Sequence, residues 1–176
     1  MSHFNIQILS ADLLESATED LAQILHATVN AGAAVSFLWP HTIDDARAFW
    51  RDQIFPNVRN GDVILWGAVS GGKVTGTVQL QIALPQNQPH RCEVAKLLVH
   101  PDYRKRGIAG QLMAALEHHA RALKKRLITF DTRSGDVAEP FYLSLGYQIT
   151  GRVPDFGLDP DGKSYHATTY MHKLLE

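Results

Sequence analysis

The sequence contains a single cysteine, Cys92, among 176 residues. One cysteine can form neither an intrachain disulfide nor a thiolate metal cluster. Lysine and arginine number 17 against 18 acidic residues, and the formal net charge of −1 gives no broad basic surface for nucleic acid. No apolar run reaches the roughly 18 residues of a membrane span, and the N-terminus lacks a basic stretch followed by an apolar one. We therefore expect a cytoplasmic protein that binds neither nucleic acid nor membrane.

Histidine is frequent, with nine residues, but no pair of histidines has the spacing of a metal site. His118 and His119 are adjacent and so lie on different faces of a helix, and no His-x-x-x-His pair with a nearby carboxylate occurs. We therefore expect no metal. At this length, and with 45% hydrophobic residues, the chain is expected to fold as one domain over residues 1–176.

Hydrophobic periodicity predicts strands and helices along the whole chain. Alternation and turn signals favour strands near 4–8, 62–70, 73–84, 91–99, 127–132, 147–153 and 165–174. Helical spacing and capping signals favour helices over 12–30, 42–53 and 140–146, and one that starts at 108 and ends in the basic residues 124–126. We expect the second helix to break by Pro56 and residues 154–162 to form a long loop. The order β-α-α-β-β-β-α-β-α-β-β indicates an α/β (α+β) fold, a mixed sheet with helices on both faces.

The stretch 97–113 combines an apolar strand, a basic turn with a glycine and the start of an amphipathic helix. The first amides of a helix lack intrahelical partners and lie at the positive end of the helix dipole, which favours an anion such as phosphate. Arg104, Lys105 and Arg106 add positive charge there, and Gly107 allows close approach to the backbone. Neither the nucleotide P-loop nor the dinucleotide fingerprint fits the spacing of this turn.

The residues Arg104-Lys105-Arg106-Gly107-Ile108-Ala109 fit Arg/Gln-x-x-Gly-x-Gly/Ala, which resembles the pyrophosphate loop of the Gcn5-related N-acetyltransferase (GNAT) family. A plain glycine turn with exposed basic residues is the alternative. The stretch Phe141-Tyr142-Leu143-Ser144-Leu145-Gly146-Tyr147 resembles the Phe-Tyr-x-x-x-Gly-Phe/Tyr signature of the same family. The predicted element order is also that of the family. The resemblance implies a mixed, mostly antiparallel central sheet and acetyl transfer from acetyl-CoA to an amine.

Acetyl-CoA is the co-substrate that the resemblance implies. Its pyrophosphate is expected at the basic loop. If the strand before the loop splays as in the family, its main-chain N–H groups at Leu97 and Val99 bind the thioester carbonyl and the pantetheine arm. Gly135 stands where an asparagine is common in the family. The predicted acetyl-CoA contacts are Leu97, Leu98, Val99, Arg104, Lys105, Arg106, Gly107, Ile108, Ala109, Gly110, Val137 and Ala138.

Three side chains are candidates for the proton transfers that acetyl transfer requires. Glu93 is expected to share one face of its strand with Ala95 and Leu97 and to act as a base, directly or through water; an ordinary surface glutamate is the alternative. Asp131 ends the next strand and is expected to anchor or help deprotonate a cationic acceptor, or else to be a turn carboxylate. By the family signature, Tyr142 is the general acid toward the CoA thiolate, or else a core aromatic.

Residues 32–37, 93–99 and 159–170 together resemble the bacterial branch that includes the tabtoxin-resistance acetyltransferases. Members of that branch acetylate small amino compounds, some of them toxins or antibiotics. The resemblance implies an acceptor pocket whose predicted members are Ala34, Val35, Phe37, Asp155 and His166. We therefore expect a small-molecule primary amine as acceptor, with a protein or peptide amine and non-catalytic acyl-CoA sensing as the alternatives. The family often pairs through sheet edges or C-terminal strands, which leaves a homodimer open.

Overall fold

The computed structural model describes residues 4–176, so the first three residues of the predicted domain lie outside the described part. The strands are β1 (Asn5–Ile8), β2 (Val63–Ser70), β3 (Lys73–Gln81), β4 (Arg91–Val99), β5 (Leu127–Arg133), β6 (Gln148–Leu158) and β7 (Tyr165–Leu174). They form a seven-stranded sheet in the order β1-β2-β3-β4-β5-β7-β6. Only β4 and β5 pair in parallel among these strands. The predicted mixed, mostly antiparallel sheet is confirmed.

Helices cover both faces of the sheet, as predicted. They are α1 (Leu14–Asn30), α2 (Ile43–Ala48), α3 (Phe55–Arg59), α4 (Ile108–Ala122) and α5 (Ala138–Ser144). On one face, Leu21 of α1 lies in a core cluster with Leu65 and Leu98, and on the other Leu112 of α4 lies in a cluster with Leu80. Each fully buried leucine contributes about 1.5–3 kcal/mol, so these clusters hold the helices against the sheet. No helix among residues 4–176 has the length and apolar character needed to cross a membrane.

Residues 43–59 form one continuous helical stretch, in which a π-helical segment (Phe49–Ile54) joins α2 to α3. The hydroxyl of Thr42 accepts a hydrogen bond from the Asp45 amide, and the Asp45 carboxylate accepts one from the Thr42 amide. The predicted break at Pro56 is wrong. Pro56 lies in the first turn of α3, directly after the π-helical segment, where its missing N–H and fixed φ are tolerated.

β6 extends past the point where the sequence predicts a loop, so the predicted loop 154–162 is wrong. The register of β6 with β7 shifts between Val153 and Gly157, and this bulge accommodates Pro154. β6 is an edge strand, and a proline is tolerated on edge strands and at bulges because its missing N–H breaks no ladder hydrogen bond there. The connection to β7 shortens to residues 159–164.

β4 contains a bulge that changes which side chains share a face. Its register against β3 shifts next to Lys96, which has φ of +49°. Val94 and Leu97 consequently both pack in the core cluster under α4, although simple alternation places them on opposite faces. An inserted residue reverses the alternation of a strand. The expectation that Glu93 shares a face with Leu97 is therefore wrong.

Candidate active site

β4 and β5 separate partway along their length. Among the described residues they pair only over Arg91–Glu93 and Leu127–Thr129, although β4 continues to Val99 and β5 to Arg133. The edge of β4 beyond Glu93 therefore faces a gap instead of a neighbouring strand. Backbone groups on such an edge are free to bind an extended ligand.

The Val99 amide faces this gap. The His100 amide donates to the Thr75 carbonyl oxygen on β3 at 3.0 Å. Because successive peptide groups of a regular strand point to opposite sides, His100 and Leu98 point toward β3, and Val99 points away from it. One of the predicted main-chain donors therefore lies at the gap, whereas the Leu98 side chain is buried in the core cluster under α1. The placement of the Leu97 amide, which lies in the bulge, stays a prediction.

The basic loop between β4 and α4 turns through left-handed backbone conformations. Lys105 has φ of +59° and Gly107 has φ of +81°, and α4 starts directly after Gly107. Arg104 and Arg106 each donate a hydrogen bond to a nearby main-chain carbonyl, at 3.3 and 2.8 Å. These bonds fix the two guanidinium groups to the loop and leave further N–H groups on each to bind an anion.

Space is open around the first turn of α4. A Cβ added at Gly107 or Gly110 would meet no other atom within 4 Å. The Ile108 side chain is buried and Ala109 is partly buried, so these residues offer an anion their backbone. The amides at the start of this 15-residue helix, the helix dipole and the basic side chains together suit a pyrophosphate.

The turn before α5 contains the residues predicted to flank pantetheine. Val137 is 85% exposed, and Ala138 packs against the core cluster under α4. The buried Glu139 carboxylate accepts hydrogen bonds from the Gly135 amide at 3.3 Å and from the Thr169 hydroxyl at 2.8 Å. The Thr169 bond is the main cause that lowers the pKa of Glu139. Glu139 thus fixes the turn to β7, a role that an acidic residue in a helix's first turn does not reveal in the sequence.

Glu93 and Asp131 line one cavity of about 490 Å³. Glu93 forms an ion pair with Arg91, and Asp131 is exposed and accepts a hydrogen bond from the Thr168 hydroxyl at 2.8 Å. The other lining residues are Gln88, Arg91, Thr129, Phe130 and Tyr170. The structure therefore brings the two predicted carboxylates together.

Both carboxylates project from the sheet face opposite to α4 and α5. Cys92, Val94 and Phe130 pack in the core cluster under α4. Glu93 lies between Cys92 and Val94 in sequence, and Asp131 directly follows Phe130. Because successive side chains of a strand point to opposite faces, both carboxylates lie on the other face. An acceptor can therefore reach the gap from the α1 side while the basic loop lies at the start of α4.

Tyr142 lies on α5, across the sheet from these carboxylates. It is 7% exposed, and its ring packs on Phe130 and Tyr147 with centroids 4.4 and 6.0 Å away. Burial raises the pKa of Tyr142, which keeps its hydroxyl protonated at neutral pH. The structure thus places Tyr142 apart from Glu93 and Asp131, on the side of the sheet that carries α4.

Ala34, Val35 and Phe37, which are predicted acceptor residues, lie on the loop between α1 and α2, called here the α1–α2 loop. Phe37 lines a second cavity of about 600 Å³, and Ala34 and Val35 are partly buried. The Trp39 amide donates to the Pro160 carbonyl at 2.7 Å. This bond joins the α1–α2 loop, which carries these three residues, to the β6–β7 connection.

Asp155 and His166 lie on the β6–β7 hairpin. Asp155 is exposed and occupies the bulge of β6 with φ of +49°. The half-buried His166 ring packs on Gly157, where an added Cβ would come within 3.1 Å of the imidazole Nε2. Neither residue lines the two cavities described above, and their part in acceptor binding stays a prediction.

Sequence reasoning missed Lys96 as a site residue. Its ammonium donates to the Val35 carbonyl at 3.1 Å and lies 5.4 and 5.6 Å from the ring centres of Phe37 and Phe49. Burial lowers the pKa of Lys96, and the charge of Asp131 opposes this shift. The signal in the sequence was a lysine inside an otherwise apolar run, and the bulge then turned it toward the α1–α2 loop.

Comparison with known proteins settles the family. The family model described as Acetyltransferase (GNAT) family matches residues 23–147. The chain belongs to this family. The matched part contains the gap at β4, the basic loop, α4 and α5. The chain is therefore a GNAT N-acetyltransferase, which confirms the predicted family and enzyme class.

Solved acetyltransferase structures share this fold. An N-acetyltransferase from Staphylococcus aureus Mu50 has a TM-score of 0.79 at 19% identity, covering 99% of this chain and 100% of that one. The ribosomal-protein-alanine N-acetyltransferase from Brucella melitensis has a TM-score of 0.77 at 21% identity, with coverage of 97% and 99%. The acetyltransferase yncA from Salmonella typhimurium, whose structure contains its cofactor acetyl-CoA, has a TM-score of 0.74 at 19% identity, with coverage of 99% and 95%.

Proposed function

We propose that this GNAT enzyme transfers the acetyl group of acetyl-CoA to the primary amine of a small molecule by direct attack in a ternary complex. The gap between β4 and β5 is the observation that supports this most. Two carboxylates lie on one face of the sheet at this gap, and the basic loop and Tyr142 lie on the other. Two substrates can therefore meet at the gap from opposite sides.

Acetyl-CoA binds along the side that carries α4 and α5. The basic loop 104–110 and the first amides of α4 bind its pyrophosphate. Val137 and Ala138 flank the pantetheine arm. The amides of Leu97 and Val99 bind pantetheine and donate to the thioester carbonyl oxygen, where negative charge develops during attack.

The acceptor binds on the other face, where Glu93 and Asp131 accept the proton of its ammonium group, directly or through water. The free amine nitrogen then attacks the thioester carbonyl carbon, a C–N bond forms and the C–S bond breaks. Tyr142 donates its hydroxyl proton to the departing thiolate and takes a proton back from solvent, while the acetylated nitrogen gives its surplus proton to solvent. Arg91 and Thr168 orient the two carboxylates, and the buried position of Tyr142 keeps its proton in place until the thiolate forms.

The acceptor class is tested by the release of free thiol from acetyl-CoA. The panel contains amino acids, polyamines, aminoglycosides and β-lactam amino acids on one side, and peptide pools with free N-termini and lysines on the other. We expect turnover with a class of small amines. The name of the Brucella protein refers to a protein acceptor, which makes a protein amine the second candidate for this chain. Turnover confined to peptides would support that candidate, and acetyl-CoA binding without any turnover would indicate a sensor.

A further inference from the structure

The cavity of about 600 Å³ beside the α1–α2 loop has no role in the transfer steps above. It lies between this loop, α2 and the π-helical segment. Its walls combine aromatic rings with polar side chains, and the residues that matter below are Ser36, Phe37, His41, Asp45, Phe49 and Asp52. The polar groups that lack partners indicate what the cavity binds.

His41 is one such group. It is 7% exposed, and neither of its ring nitrogens has a hydrogen-bond partner within residues 4–176. Buried polar atoms in folded proteins nearly always have partners. Since His41 lines the cavity, its ring can form hydrogen bonds with a ligand there. Burial lowers the pKa of His41, so the ring is neutral and has one N–H to donate.

The carboxylates in the same walls are already engaged. Asp45 accepts hydrogen bonds from the amide and the hydroxyl of Thr42, at 2.8 and 2.7 Å. Asp52 is ion-paired with Arg51 at 2.7 Å. The charge of Asp52 is therefore balanced by Arg51, and one oxygen of Asp45 is occupied by Thr42.

Lys96 places a positive charge directly behind these walls. Its ammonium lies 3.4 Å from the Ser36 hydroxyl and over the rings of Phe37 and Phe49, and these three residues line the cavity. Lys96 forms no ion pair in the part of the chain that the structure describes. A partly buried ammonium that no carboxylate contacts, beside a cavity, favours an anionic ligand.

The position of Lys96 connects this cavity with the proposed acceptor site. Lys96 follows Glu93 by three residues on β4, and the charge of Asp131 acts on it. We propose that the cavity binds the carboxylate of the acetyl acceptor: His41 donates a hydrogen bond to it, and the charge of Lys96 behind the wall attracts it. The acceptor is then an amino acid or a similar compound that carries both an amine and a carboxylate. This inference rests on the proposed function.

The test compares pairs of amines that differ only in a carboxylate. Suitable pairs are leucine with leucinamide and 5-aminopentanoate with its amide, assayed by thiol release from acetyl-CoA. In the wild-type enzyme we expect kcat/KM to favour the carboxylate member of at least one pair by about tenfold or more, the size of one charge-assisted hydrogen bond. In Lys96→Met the ratio within that pair should fall to about one tenth of the wild-type ratio or less.

The ratio of kcat/KM within a pair distinguishes a loss of carboxylate recognition from a loss of stability. A folding defect lowers kcat/KM equally for both members of a pair. Dividing the variant's ratio by the wild-type ratio cancels the effect of the different basicity of the two amines. His41→Leu should lower the ratio, and His41→Gln should restore part of it because the amide still donates a hydrogen bond. Lys73→Met, an exposed lysine in the β2–β3 hairpin, should keep the wild-type ratio.

Three outcomes would overturn the inference while acetyl-CoA still binds in calorimetry. They are equal use of both members by the wild type, an unchanged ratio in Lys96→Met, and no turnover of any carboxylate-bearing amine. Failure of the wild type to bind acetyl-CoA would overturn the proposed function itself, which distinguishes the two.

Discussion

Phe130 packs its ring on Tyr142 with the centroids 4.4 Å apart, and the same phenylalanine lines the cavity that contains Glu93 and Asp131. One aromatic residue therefore lies between the proposed acid and the proposed bases. The arrangement keeps the proton given to the thiolate apart from the proton taken from the amine. This separation leads to distinct predictions for each side of the sheet.

Removal of the base on the acceptor side should matter most at neutral pH. Asp131→Asn keeps an oxygen for the Thr168 hydroxyl but cannot take up the amine proton, so kcat/KM should fall by about 10²–10⁴-fold. The loss should shrink as pH rises toward the pKa of the acceptor amine, because solvent then removes the proton. The measurement is the pH profile of thiol release for wild type and variant.

The control for this profile is Asp44→Asn, which changes an exposed carboxylate at the start of α2 and should leave the profile unchanged. A loss in Asp131→Asn that stays the same at every pH would contradict a proton-accepting role. Such a result would reduce Asp131 to a residue that shapes the cavity.

Gly110→Ala should affect stability and acetyl-CoA affinity in opposite directions. An added Cβ meets no protein atom within 4 Å, and alanine in a helix is about 0.5–1 kcal/mol more favourable than glycine, so the free energy of unfolding should rise. In the proposed mode of binding the same methyl group would meet the pyrophosphate, so Kd for acetyl-CoA should increase about tenfold, or 1.4 kcal/mol. Denaturant unfolding and calorimetry measure the two effects.

Ala114→Gly provides the reverse control, since Ala114 is exposed on the same helix. It should lower the free energy of unfolding by about 1 kcal/mol and leave acetyl-CoA binding unchanged. Unchanged affinity in Gly110→Ala would show that the pyrophosphate does not approach this turn.

Much of the fold was predictable because its signals are local. The bounds of β4 and β7 follow from residue pattern, and the capping box at Thr42 identifies the start of α2. The fold predictions that were wrong failed because tertiary contacts overrode the local sequence signals. Pro154 is accommodated in a strand because β6 lies at the edge of the sheet, and an edge position is set by distant pairing.

The candidate site was predictable to the extent that its residues belong to continuous motifs. The loop 104–110 is one stretch of sequence, and its helix start and glycine geometry follow from that stretch alone. Lys96 and His41 could not be assigned in the same way. The side on which Lys96 lies depends on the bulge against β3, and the burial of His41 depends on contacts with Phe37, so neither can be read from local pattern.

Glu139 should stabilise the fold in a pH-dependent manner. Its carboxylate accepts hydrogen bonds from Thr169 and Arg152, which lower its pKa from the ordinary value of 4.5. A lowered pKa in the folded state gives stability that is fully present above about pH 4.5 and is lost as pH falls through the folded-state pKa. Glu139→Gln should therefore be less stable at pH 7 by about 1.5–3 kcal/mol, and the difference should shrink in acid.

Urea unfolding of wild type and Glu139→Gln across this pH range measures the difference. Glu15→Gln removes an exposed carboxylate from α1 and serves as the matched control. A stability difference that stays constant from neutral to acid pH would mean that the charge of Glu139 contributes nothing beyond its packing.

The most direct test of the proposed mechanism is amine-dependent thiol release by Tyr142→Phe, with acetyl-CoA affinity measured alongside. Tyr147→Phe is the control, because it removes the hydroxyl of another buried tyrosine in the same cluster. The account predicts that kcat falls by about 10²-fold or more in Tyr142→Phe while acetyl-CoA Kd hardly changes, and that Tyr147→Phe retains turnover. Equal loss of turnover and affinity in Tyr142→Phe would contradict it and leave Tyr142 a structural residue.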